Sequence, residues 1–158
     1  MGAVPHTLRT MQIVSFTQSR AVAVLSVNLT AIVAFEARDK GPKGSPETRL
    51  TVMGGDEYFV ADTPDEIQNG LRKCLGTVFA KLTNEDGKTI YLNPALLVAF
   101  ERKAPQGARR VVTAITMAGA KMGAISINVF AHPYRVREDS DQVAVAFNEA
   151  NLAAVGGA

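Results

Sequence analysis

The chain has no tryptophan, two histidines and a single cysteine, Cys74, among its 158 residues. One cysteine excludes an internal disulfide framework and fits a reducing compartment. His6 stands near the start, and His132 has neither a cysteine nor a second histidine at metal-ligand spacing, so zinc is not expected. No segment approaches the roughly 20 apolar residues that a membrane-spanning helix needs. The opening stretch from Met1 to Phe16 has no basic cluster leading into a continuous apolar core, which predicts an unexported, cytoplasmic protein.

What the chain does have is globular composition, with 47% apolar and 20% charged residues and a net charge of +2. It also contains an internal similarity. Leu25 to Glu36, LSVNLTAIVAFE, aligns without a gap to Ile90 to Glu101, IYLNPALLVAFE. Asn28/Asn93, Val33/Val98, Ala34/Ala99, Phe35/Phe100 and Glu36/Glu101 are identical pairs. The alternative is two unrelated strands of similar composition.

The flanks repeat the same order. A strand over 12–17, and another over 77–83, precedes each match. After the first match a turn-rich loop leads to strands Thr48–Met53 and Tyr58–Ala61, joined by Gly54-Gly55-Asp56. After the second, Ala104-Pro105-Gln106-Gly107 leads to strands over 110–117 and 124–130. Each half then carries a helix signal. Thr63-Pro64-Asp65-Glu66 is a capping box with proline at the first helical position, and Gly76 supplies a stop. Asp139 with Gln142 repeats the cap, followed by the stripe Val143, Phe147 and Ala150. The expected fold is α+β and mostly β: two tandem copies, 1–76 and 77–158, of a four- or five-stranded antiparallel module, each followed by a short helix. The connections are too short for parallel crossovers.

Residues 79–101, FAKLTNEDGKTIYLNPALLVAFE, resemble the FlbD family of small flagellum-associated proteins. Leu82, Thr83, Gly87, Lys88, Leu92, Asn93, Pro94 and Glu101 carry the likeness. The first copy keeps Asn28 and Glu36 but lacks the Gly-Lys turn and the proline. The strand order is also similar to LytTR-type DNA-binding domains, and the doubled plan to Whirly and Pur-alpha proteins, which bind single-stranded nucleic acid. These resemblances imply a regulator or an assembly component.

Between Arg102 and Arg137 there is no acidic residue, while Arg102, Lys103, Arg109, Arg110, Lys121, Arg135 and Arg137 supply positive charge. Phe130, His132 and Tyr134 interleave aromatic surface. Such a segment suits phosphates and stacked bases, so Arg102, Lys103, Arg109, Arg110, Lys121, Tyr134, Arg135 and Arg137 are the candidate nucleic-acid contacts, for single-stranded DNA or RNA. The alternative is that these cations are solvated strand edges and loop tips that discourage aggregation, with Phe130 in the core.

Catalytic residues are not expected. Cys74 reads as a small buried hydrophobe on the apolar side of a helix, Asp56-Glu57 and Asp65-Glu66 belong to a turn and a helix start, and Gly119 and Gly123 suit a hairpin. Neither a cofactor nor a metal is expected. Two functions follow: a non-enzymatic nucleic-acid-binding protein using a basic β surface, or a self-assembling structural protein, flagellum-associated or part of a larger particle, that forms homo-oligomers through strand edges.

Overall fold

The computed structural model describes residues 12–39, 44–103, 111–118 and 133–156. Among these the fold is mostly β, with three antiparallel sheets and two helices. In chain order the elements are β1 (Ile13–Thr17), β2 (Val24–Asn28), β3 (Ile32–Arg38), β4 (Glu47–Val52), β5 (Glu57–Val60) and α1 (Pro64–Leu75), then β6 (Ala80–Thr83), β7 (Thr89–Leu92), β8 (Leu97–Lys103), β9 (Val112–Met117), β10 (Tyr134–Val136) and α2 (Ser140–Gly156). The sheets are β1-β2, β5-β4-β3-β7-β6 and β10-β9-β8. The expected strand over 124–130 lies outside the described residues, as do the loop 104–107 and Gly119 and Gly123. The strand found beside β9 is the shorter β10.

Local geometry recurs between the two halves. β3 pairs with β4 from Ile32↔Val52 to Arg38↔Glu47, with a bulge between Ile32 and Ala34. β8 pairs with β9 from Leu97↔Met117 to Lys103↔Val112, with a bulge between Leu97 and Ala99. Isolated bridges link Gln18 to Val60 and Asn84 to Val136. Thus in each half the residue after the first strand bridges to the last strand, giving the orders β2-β1-β5-β4-β3 and β7-β6-β10-β9-β8.

The turn between the central strands depends on asparagine. Asn28 and Asn93 each accept a hydrogen bond through the side-chain oxygen from the backbone N–H two residues on, Thr30 and Ala95, and so cap a one-turn 3₁₀ segment. Helix α1 begins as its sequence predicts, with Thr63 accepting from the Glu66 N–H, and ends at Gly76 in the left-handed region, φ 67°. At α2 the box is reciprocal: Asp139 accepts from the Gln142 N–H while the Gln142 side chain accepts from the Asp139 N–H.

Two apolar clusters form the core. The first gathers Phe16, Val27, Leu29, Ile32, Phe35 and Leu50 with Ile67 and Leu71 of α1, plus Phe79 and Tyr91. Phe35 stacks on Tyr91 at 4.9 Å between ring centroids. The second gathers Leu82, Ile90, Leu92, Ile115 and Val136 with Val143 and Phe147 of α2. Val33 and Ala34, which belong to β3, also lie in this second cluster. The central sheet is therefore shared, because β7 adds to β3 through Ala34↔Leu92, Phe35↔Tyr91 and Glu36↔Ile90.

Candidate functional site

The cations expected to bind nucleic acid fall into two groups. Arg109, Arg110 and Lys121 lie outside the described residues, together with Phe130 and His132. Arg102 and Lys103 end β8, Arg135 lies in β10, and Arg137 follows it. All four stand close to oxygens of their own chain. Arg102 Nη1 is 3.5 Å from the Glu138 carbonyl and Lys103 Nζ is 3.5 Å from Glu101. Arg135 lies 3.6 Å from the Glu85 carboxylate, and Arg137 donates to the Glu85 carbonyl at 3.2 and 2.9 Å. A side chain on Gly87 would meet the Arg137 guanidinium at 3.2 Å, so the Gly-Lys turn and this arginine fit closely.

Tyr134 is half-buried and packs on the second core cluster, where burial raises its phenol above the ordinary range. It lines an open cleft of about 350 Å³ with Glu36, Arg49 and Asn84. That cleft is already charge-compensated. Buried Glu36 pairs with Arg49 and accepts from the Asn84 amide at 3.1 Å.

Two further polar groups tie elements of the fold together. Glu47, buried at the start of β4, pairs with Arg20 and accepts from the Ser19 hydroxyl at 2.7 Å. The Arg20 hydrogen bond holds its carboxyl below the ordinary range despite burial. Asp65, at the start of α1, accepts from the Tyr91 hydroxyl at 2.6 Å and lies 3.3 Å from Lys81, a helix-to-sheet tie with no signature in the sequence. That hydrogen bond holds the Asp65 carboxyl down. Cys74 is exposed rather than buried, because the inward stripe of α1 is Pro64, Ile67, Gln68 and Leu71 and leaves position 74 on the rim. Among the described residues no three histidine, cysteine or carboxylate side chains group as metal ligands, and no helix is long and apolar enough to cross a membrane.

What stands out is a difference between two strands of nearly the same sequence. In β3 the residues Ile32 to Glu36 are all buried, whereas in β8 the aligned residues Leu97 to Glu101 are half-buried or exposed. Val33 is 0% exposed and Val98 63%. Among the described residues β3 lies between β4 and β7, whereas β8 pairs with β9 alone. Among the described residues β2 likewise pairs with β1 alone, and its Val24 is 70% exposed. Burying a valine side chain contributes roughly 1.5–3 kcal/mol. An apolar edge strand is a template for another strand.

Asn93 shows what such an edge binds. Its backbone N–H donates to the Val33 carbonyl at 3.0 Å and its side-chain amide donates to the Ile32 carbonyl at 2.9 Å, clamping the end of β7 onto the bulge of β3. Asn28 has the same cap at the end of β2, without a β3-like strand beside it.

No family model matches this chain, and no curated protein or solved structure does either. The FlbD resemblance rests on its motif residues alone. Leu82 and Thr83 lie in β6, Gly87 has φ 82° in the turn, Leu92 ends β7, Asn93 and Pro94 form the 3₁₀ cap, and Glu101 lies in β8.

Proposed function

We propose that the chain is a tandem duplication of one five-stranded module closed by a helix, with boundaries at 1–76 and 77–158, and that it acts without catalysis as a self-assembling structural protein. The matching bulges, bridges, asparagine caps and helix caps support the duplication. The observation that carries the functional reading is the apolar edge of β8, where Val98 is 63% exposed although its counterpart Val33 is wholly buried. A flagellum-associated role, as the FlbD resemblance implies, or a place in a larger particle would both use such an edge.

The nucleic-acid reading keeps one favourable observation. β8, β9 and β10 are neighbours, and Arg102, Thr113 and Val136 lie opposite one another, so Arg102, Lys103, Arg135 and Arg137 gather toward one end of a sheet. Their carboxylate and carbonyl partners weaken that face as a phosphate site. Size-exclusion chromatography with light scattering, with and without a labelled single-stranded oligonucleotide at low and moderate salt, separates the two. Self-assembly predicts a discrete or open-ended oligomer with which no oligonucleotide comigrates. A monomer that forms a salt-sensitive complex, lost on replacing Arg102 and Arg135 by alanine, would overturn it.

A further inference from the structure

The two strand edges without a partner among the described residues are counterparts of the two strands that join the halves. β3 and β7 join the halves. By the alignment and the matching registers, β8 is the counterpart of β3 and β2 the counterpart of β7. Among the described residues β2 and β8 are also edge strands, and they do not pair with each other.

We propose that copies of this chain assemble head to tail, with β2 of one copy adding to β8 of the next in the register that β7 adopts on β3. The proposal rests on the self-assembly reading and specifies its interface. Transferring Ala34↔Leu92, Phe35↔Tyr91 and Glu36↔Ile90 to the open edges sets Ala99 opposite Val27, Phe100 opposite Ser26 and Glu101 opposite Leu25. The three-stranded sheet β10-β9-β8 and the two-stranded sheet β1-β2 of the next copy then merge into a five-stranded sheet like β5-β4-β3-β7-β6.

Three independent features point to a second copy as the occupant. Val33 and Ala34 of the N-terminal half complete the core cluster of the C-terminal half. Their counterparts Val98 and Ala99 are exposed, and the first core cluster has no corresponding contribution. Val98 and Ala99 of one copy would complete the first cluster of the next, beside Val27.

The second feature is Asn28, which ends β2 as Asn93 ends β7. On the next copy its amide would meet the Leu97 carbonyl at the bulge of β8, as Asn93 meets Ile32. The third is polar. Asn84 donates to Glu36 across the β3-β7 junction, and Gln18, the counterpart of Asn84 in the bridge to the last strand, would face exposed Glu101.

The geometry also excludes a closed pair of halves. Were the halves related by a twofold axis, β2 would already lie on β8 in one chain. Because it does not, repeating the same relation adds further copies and yields a ring where the rotation closes or a filament where it does not.

Cysteine cross-linking between two distinguishable chains tests this. Val27→Cys is placed in one chain and Ala99→Cys in another of different mass, both with Cys74→Ser, and the two are mixed and oxidised. Residues directly opposite in an antiparallel pair lie within disulfide reach. The expected result is a mixed cross-linked dimer, formed at least tenfold more than with Arg102→Cys in place of Ala99→Cys. Circular dichroism of each variant checks folding, and Val98→Lys, a change at an exposed position, should abolish the cross-link. In a third chain carrying both cysteines, a cross-link formed only within the chain would overturn assembly between copies. Oligomers by light scattering without this cross-link would overturn the strands and register but leave self-assembly standing. A monomer at every concentration would overturn both.

Discussion

Thr48 and Thr113 make the same hydrogen bond, each hydroxyl donating to the backbone carbonyl just before a helix N-cap, Asp62 for Thr48 and Glu138 for Thr113. Both threonines are wholly buried, in β4 and β9. The bond ties the start of each helix to a strand of its sheet.

Replacing either threonine by valine keeps the shape and leaves a part-buried carbonyl without that donor. Each variant should lose about 1–3 kcal/mol of stability. Urea unfolding checks this, with the two losses similar in size. A loss at one site only would contradict equal roles.

The helix caps should behave alike as well. Thr63→Ala removes the acceptor for the Glu66 N–H, and Asp139→Ala the acceptor for the Gln142 N–H. Each should cost about 1 kcal/mol, seen as a lowered midpoint in thermal melts followed by circular dichroism.

The two asparagines should differ in the dilute chain. Asn28→Ala loses a local cap and should cost about 1 kcal/mol. Asn93→Ala loses the cap and also the buried bond to the Ile32 carbonyl, and should cost about 2–4 kcal/mol. Denaturant midpoints at low concentration measure the gap; equal costs would show that Asn93 does not clamp β7 to β3.

Much of this was legible in the sequence. The capping boxes, the Gly76 stop and the strands around Phe35 and Phe100 are local, and local chemistry leaves local patterns. The pairing of β3 with β7 leaves none, because it depends on which strand edge meets which. Val33 and Val98 are the same residue in the same motif, yet among the described residues only the strand of Val33 is paired on both sides. Among the candidate nucleic-acid residues, Arg102, Lys103, Arg135 and Arg137 were recognisable as cations, but the oxygens of Glu85, Glu101 and Glu138 beside them become visible only on folding.

Acid should expose the role of Glu47. Its folded-state pKa lies below the ordinary 4.5, so its contribution is complete above that value and is lost as pH falls through the lower folded value. Glu47→Gln should therefore be less stable than the parent at neutral pH and lose less on acidification to about pH 3. Urea midpoints at the two pH values measure this. Parallel losses in both proteins would assign the acid sensitivity elsewhere.

The most direct test of the central claim is the solution mass of the parent chain and of Val98→Lys, measured by light scattering over a range of concentrations. A charge at Val98 leaves the single chain intact, because the side chain is already 63% exposed there, but cannot be buried against a neighbouring β2. Edge-to-edge assembly predicts a multiple of the chain mass for the parent and the mass of one chain for the variant; an equal mass for both would contradict it.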